Sequence, residues 1–236
     1  MTAIFKNVKR EIVIRTTPER AWKALTEPQE RNHWETRHCE IDLKVGGQVA
    51  LDYGWGVSYV GTIEELIPNR RLTLRGEDNE LTIWTMEPHL DGTLVGIEYT
   101  GLWSNEQEYM MMDNMAFGTY RFMRNMKSVL EDEADMRSTF WSSWIGMNHY
   151  TYRGDSLEGV KVVEVLPGTS ADGSLETGDI ITGADGQVIR SYDELEDKVT
   201  SMEPGEKVEI GFVRGGEPLS VTLTVLPYGQ RNVTQA

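Results

Sequence analysis

Two kinds of apolar spacing divide this chain. Near the start, Ile12 and Ile14 alternate with polar neighbours, the period of a half-buried strand. Thr17-Pro18-Glu19 then supplies a helix N-cap, a proline at the first helical position and an early acid. Ala21, Trp22 and Leu25 give that helix its buried stripe, and Pro28 ends it. Alternation returns at Val49, Leu51 and Tyr53, and Pro68-Asn69 signals a turn. ELTIWTMEP and GTLVGIEYTG flank His89-Leu90-Asp91-Gly92, which predicts a hairpin. From about Asn105 the period lengthens. Met112, Met115, Thr119, Phe122, Met126 and Val129 recur at three- and four-residue steps, predicting a helix of roughly seven turns. Glu131, Asp132, Glu133 and Asp135 mark its solvated end. One strand, a short helix, a meander of strands and a long final helix make an α+β sandwich.

After residue 137 the texture changes to short strands punctuated by glycine turns. The pattern predicts strands over Val160–Val165, Asp179–Thr182, Lys207–Arg214 and Leu219–Leu226. One helix, Tyr192–Ser201, starts from Ser191 as N-cap and buries Leu195 and Val199. Two domains follow, 1–137 and 138–236.

Composition narrows the functional classes. The 236 residues are 39% hydrophobic and include seven tryptophans and nine tyrosines, enough for packed cores. The net charge is −15, with −7 in Met1–Arg137 and −8 in Ser138–Ala236. A negative field on both halves repels phosphate backbones, so no nucleic-acid partner is expected. Cys39 is the single cysteine and has no partner for an internal disulfide. The opening MTAIFKNVKREIVIR lacks the apolar stretch of a secretory signal, and no apolar run approaches membrane-spanning length. The expectation is a cytoplasmic protein without a membrane span. His33, His38 and Cys39 lie close together, but their spacing matches no recognisable zinc site, so no metal and no cofactor are expected.

EIVIRTTPERAWKALTEPQERNHW, DLKVGGQVALDY, YVGTIEELIPNRRLTL and DGTLVGIEYTG, in that order before a long helix, resemble the activator-of-heat-shock-ATPase-homologue branch of the SRPBCC (START-like) superfamily over residues 8–132. The resemblance implies a helix-grip fold: a curved antiparallel sheet around the long C-terminal helix, with a cavity between them. By strand alternation and the family's register, Tyr53, Trp84 and Tyr99 would line that cavity from the sheet, and Met115, Phe122 and Met126 from the helix. An apolar small molecule or a protein surface is the expected occupant. Some superfamily members are cyclases or hydrolases; here no acid–base pair identifies such chemistry, and Trp84 and Tyr99 are the residues whose replacement would test it.

In the second half, Leu166-Pro167-Gly168-Thr169-Ser170-Ala171, Leu175-Glu176-Thr177-Gly178-Asp179-Ile180-Ile181 and Asp185-Gly186-Gln187-Val188 resemble the PDZ domains of bacterial HtrA-type proteases, over about Trp144 to Tyr228. Asp179 and Asp185 do not follow the ligand order of a calcium loop. The resemblance gives a meaning to STFWSSWIGMNHYTY at Ser138–Tyr152, an unexpectedly apolar segment. Trp144-Ile145-Gly146-Met147 stands where PDZ domains carry the loop that binds a terminal carboxylate. Gly146 permits the turn that aims successive N–H groups at one spot, while Ile145 and Met147 offer an apolar pocket. Leu195 and Val199 would form the helical wall, and the strand after Met147 an edge to which a peptide adds. The HtrA-type protease itself is absent from the sequence. The combined expectation is a small, mostly-β PDZ domain after the helix-grip domain, in a non-catalytic adaptor for apolar protein C-termini. Its alternatives are a chaperone ATPase cofactor and a cyclase- or hydrolase-type enzyme.

Overall fold

A computed structural model describes residues 5–54, 56–77 and 79–231. By contact the chain forms two compact units, Met1–Trp103 with Gly118–Ser138, and Ser104–Phe117 with Thr139–Ala236. Ser104–Phe117, assigned to the first domain on sequence, therefore groups with the second unit.

The first unit runs β1 (Phe5–Ile14), α1 (Pro18–Thr26), α2 (Pro28–Asn32), β2 (His38–Ile41), β3 (Gln48–Asp52), β4 (Ser58–Ile67), β5 (Arg71–Gly76), β6 (Leu81–His89) and β7 (Gly92–Trp103). It ends in the second half of α3 (Glu106–Leu130). The sheet is antiparallel, in the order β1-β7-β6-β5-β4-β3-β2. Thr17 caps α1 by accepting from the Arg20 amide at 3.3 Å. Pro28 ends α1 but also opens α2, because a proline is well suited to the first turn.

Val49, Leu51, Trp84, Met86, Val95 and Ile97 are buried in the core of this unit. The helix packs on this layer: Phe122 meets Tyr53 at 5.9 Å between ring centroids, and the Tyr99 and Thr119 hydroxyls lie 2.6 Å apart. This is the helix-grip arrangement, an antiparallel sheet held against a long helix.

Glu131 is not part of a solvated helix end. It accepts from the Arg15 amide at 2.8 Å, from Lys127 Nζ at 2.8 Å and from Arg15 Nε at 3.0 Å. Burial alone would raise its carboxyl, but these donors outweigh it and hold the group down to about 2. A carboxyl depressed on folding stabilises the protein fully above its ordinary range, near 4.5, and loses that contribution as pH falls toward 2. Glu131→Gln is therefore expected to be less stable than the parent at pH 7, and the two should converge at pH 2. Urea unfolding across that range checks it; a gap independent of pH would refute the assignment.

The second unit opens with the first half of α3. It continues through a 3₁₀ turn, Arg137–Thr139, to β8 (Ser143–Trp144), β9 (Met147–Arg153), β10 (Glu158–Val165), β11 (Ile180–Ala184) and β12 (Gln187–Val188). Then come α4 (Tyr192–Thr200), β13 (Lys207–Arg214), β14 (Glu217–Thr224) and β15 (Leu226–Pro227). Its main sheet is ordered β14-β13-β11-β10-β9, with β12 on β11; β15 pairs separately with β8. Ser191 caps α4, accepting from the Glu194 amide at 3.3 Å. Asp179 and Asp185 hold the fold together. Asp179 takes two bonds from Arg214 at 2.7 Å each, and Asp185 pairs with Lys198 at 2.8 Å. The whole is a small, mostly-β domain after the helix-grip unit.

Candidate functional site

The stretch Ser143–Met147 is fixed before it binds anything. Ser143 is fully buried, and its hydroxyl donates to the Val199 and Met202 carbonyls at 2.6 and 2.8 Å, satisfying the end of α4. Trp144 Nε1 donates to the Gln230 carbonyl at 3.0 Å, and its ring lies 5.6 Å from that of Tyr228. The apolar character of this segment thus anchors a loop.

The loop then turns at Gly146, whose φ of +86° is left-handed. The Ile145 and Gly146 carbonyls point inward and accept from the Ala171 and Leu166 amides at 3.0 and 2.9 Å. With the carbonyls committed inward, the amides of Gly146 and Met147 present a concave pair of donors on the other side. That arrangement suits an anion.

These residues open on a cavity of about 290 Å³. Its loop side is Trp144 to Met147, its strand side Asn148 and His149, and its helical wall Tyr192 and Glu196. Met110, Met111 and Asn114 of α3 complete it beside Tyr228. Ile145, Gly146 and Met147 line it, with Ile145 and Met147 also part of the unit's buried core. Leu195 and Val199, at 0% and 2% exposure, lie in that core beneath the cavity. The residues one turn apart that face the cavity are Tyr192 and Glu196. Among the described residues no lysine or arginine lines it, so an anion there would rest on backbone donors.

His149 is the polar floor. It is 3% exposed, and its ring stacks on Tyr192 at 4.6 Å between centroids. Neither ring nitrogen has a hydrogen-bond partner within the described residues, although Glu196 Oε1 lies 3.3 Å from Nε2. Burial holds the imidazole down to about 4 against a weaker opposing approach of the Met147 backbone, so His149 is neutral at pH 7.

In the first unit, Trp84, Phe122 and Met126 are buried and Tyr53 and Tyr99 half-buried, all between sheet and helix. Trp84 meets Trp34 edge-on at 6.3 Å. Met115 lies in the part of α3 that groups with the second unit. Arg31 and Glu35, unremarked in the sequence reading, form a buried pair here, at 1% and 3% exposure. Their spacing of four residues, with Arg31 in α2 and Glu35 in the turn that follows it, was the available signal.

Comparison with known proteins agrees with both folds. Residues 15–131 match the family described as Activator of Hsp90 ATPase homolog 1-like protein, and residues 129–225 match the PDZ domain family. Over 72 residues the chain is 43% identical to the periplasmic pH-dependent serine endoprotease DegQ of Escherichia coli, covering 30% of this chain and 16% of that protein. It is 34% identical over 80 residues to the periplasmic serine endoprotease DegP of the same species, covering 34% of this chain and 17% of that one. The chain thus spans about one-sixth of the length of these relatives. Among solved structures, the protein SSP2350 from Staphylococcus saprophyticus superposes with a TM-score of 0.50 at 14% identity, over 56% of this chain and 96% of that one.

Proposed function

From a chain that carries an Activator of Hsp90 ATPase homolog 1-like domain followed by a PDZ domain, we propose a non-catalytic, cytoplasmic adaptor that captures free protein C-termini. The helix-grip half holds an apolar ligand or a partner's surface, with Tyr53, Trp84, Tyr99, Phe122 and Met126 as its interior. One observation carries the peptide reading: the left-handed turn at Gly146 lies at a cavity beside the outer edge of β9, where no further strand pairs among the described residues. A terminal carboxylate docks on the Gly146 and Met147 amides, and an apolar last side chain enters between Ile145 and Met147. The preceding residues add to β9 as a further antiparallel strand. A randomised C-terminal peptide library, presented to the full chain with amidated controls, tests this. Amidation should weaken binding at least tenfold, the loss expected when a charge-assisted bond is removed. Equal binding of acid and amide would reject the reading.

In an added strand, alternate residues share a face, so the third-from-last side chain points the same way as the last, toward α4. There it meets Tyr192 and Glu196 above the His149 ring. A lysine at that position is expected to bind about five- to tenfold more tightly than alanine, because the Glu196 carboxylate is largely removed from water. Glu196→Gln should erase the preference while leaving the alanine peptide unchanged. A preference that survives in the variant would exclude Glu196 as its source.

A further inference from the structure

On the reading that this groove takes a C-terminus, we infer that it admits only the last few residues of its partner, because the first half of α3 closes the far end. The key contact is to backbone. The Thr151 amide donates to Asp113 Oδ2 at 2.7 Å. Among the described residues β9 is an edge strand, paired only with β10. Amides of one strand alternate in direction, so those of Met147 and His149 face the same open side as that of Thr151. They are the first two rungs available to an added strand. The third is already filled by a carboxylate that is 6% exposed.

Asp113 is held there by its own helix. Glu106, Tyr109, Asp113 and Phe117 are spaced by three or four residues and so lie on one face of α3. Glu106 Oε1 pairs with Lys161 Nζ at 2.5 Å and accepts from the Tyr150 hydroxyl at 3.3 Å. The Tyr109 and Tyr150 rings are 5.6 Å apart. On the helical wall, Asn114 Nδ2 donates to the Tyr192 hydroxyl at 3.0 Å, and Phe117 meets the Tyr192 ring edge-on at 5.7 Å. The face grips both walls of the groove, β9 through Tyr150 and Thr151 and α4 through Tyr192. A peptide strand therefore has a ladder from its end back to about the fourth residue, and the fifth meets Asp113 where its bond should be. The partner is a protein with a short protruding free C-terminus; an extended upstream strand adds nothing.

The test uses the full chain and two free-acid peptides, Thr-Val-Thr-Val-Ala-Lys-Ala-Leu and its last four residues alone. Calorimetry should give affinities within about twofold of each other. Asp113→Ala should let the octapeptide bind about tenfold more tightly and leave the tetrapeptide unchanged, as expected for regained ladder bonds. Asp113→Asn, which keeps an acceptor oxygen, should retain the limit. Amide exchange read by NMR needs no variant: Thr151 should be slow in the free chain and unaffected by peptide, while His149 slows on binding. An octapeptide tenfold tighter than the tetrapeptide on the unaltered chain, or a fast Thr151 amide, overturns the inference. Failure of both peptides to bind while Thr151 stays slow is a different result, and it overturns the C-terminal reading itself.

Discussion

A Gly146→Ala chain is expected to lose at least a hundredfold in affinity for apolar free-acid peptides. Two costs act together. At φ +86° an alanine sits in the left-handed region, at a penalty of about 1–2 kcal/mol. Its β-carbon would also stand 2.1 Å from Thr169 Cβ and 2.2 Å from Cγ2. Thr169 cannot withdraw easily, because its hydroxyl donates to the Leu166 carbonyl at 2.7 Å and also approaches the Gly146 carbonyl at 3.1 Å. The loop must move instead, which turns the two amides off their common focus. Calorimetry with one peptide, beside a urea melt to show that the domain still folds, measures the effect. Adding Thr169→Gly should recover part of the affinity by removing the collision, leaving the backbone cost. If Gly146→Ala alone binds within threefold of the parent, the carboxylate is held elsewhere.

Arg31→Met is expected to destabilise the helix-grip unit by about 3–5 kcal/mol, the usual cost of removing one partner of a buried ion pair. Arg31 Nε meets Glu35 Oε2, and Nη1 donates to the Leu25 carbonyl at 3.2 Å. Burial opposes the charge on Arg31, but Glu35 is close enough to keep the guanidinium protonated. Methionine fills much the same volume yet leaves the carboxylate of Glu35 in a desolvated site without its cation. The double replacement Arg31→Met, Glu35→Leu should be far milder than Arg31→Met alone, since no unpaired charge remains. Chemical denaturation of the single and double variants distinguishes the cases. A single variant costing under 1 kcal/mol would mean that Glu35 finds other solvation.

The reach of sequence reading can be judged on α4 and α3. Helical periodicity identifies the stripe that a helix buries, so it singled out Leu195 and Val199, and the structure puts both in the core. A groove wall is built from the flank of that stripe, here Tyr192 and Glu196, where polar and aromatic residues carry no periodic mark. The turn at Gly146 was legible because a glycine between large apolar residues is rarely placed without conformational need. Strand alternation was legible for the same reason that sheets have two faces. Tyr53 shows its limit: β3 ends at Asp52, so alternation continued one residue past the ladder. Asp113 was invisible. It stands among methionines as an ordinary solvated acid would, and the group it binds is a main-chain amide that no side-chain pattern records.

The Asp113–Thr151 bond also bears on solubility. An uncovered strand edge is a template on which other sheets can grow, and proteins blunt such edges with charges, prolines or cover. The second unit does so at both ends of its sheet: Pro218 interrupts the donors of β14, and a buried carboxylate interrupts those of β9. What remains open is a notch two rungs long, enough to hold the end of a chain and too short to seed stacking between copies. The same acid that limits how far a partner can be read keeps this sheet from reading itself.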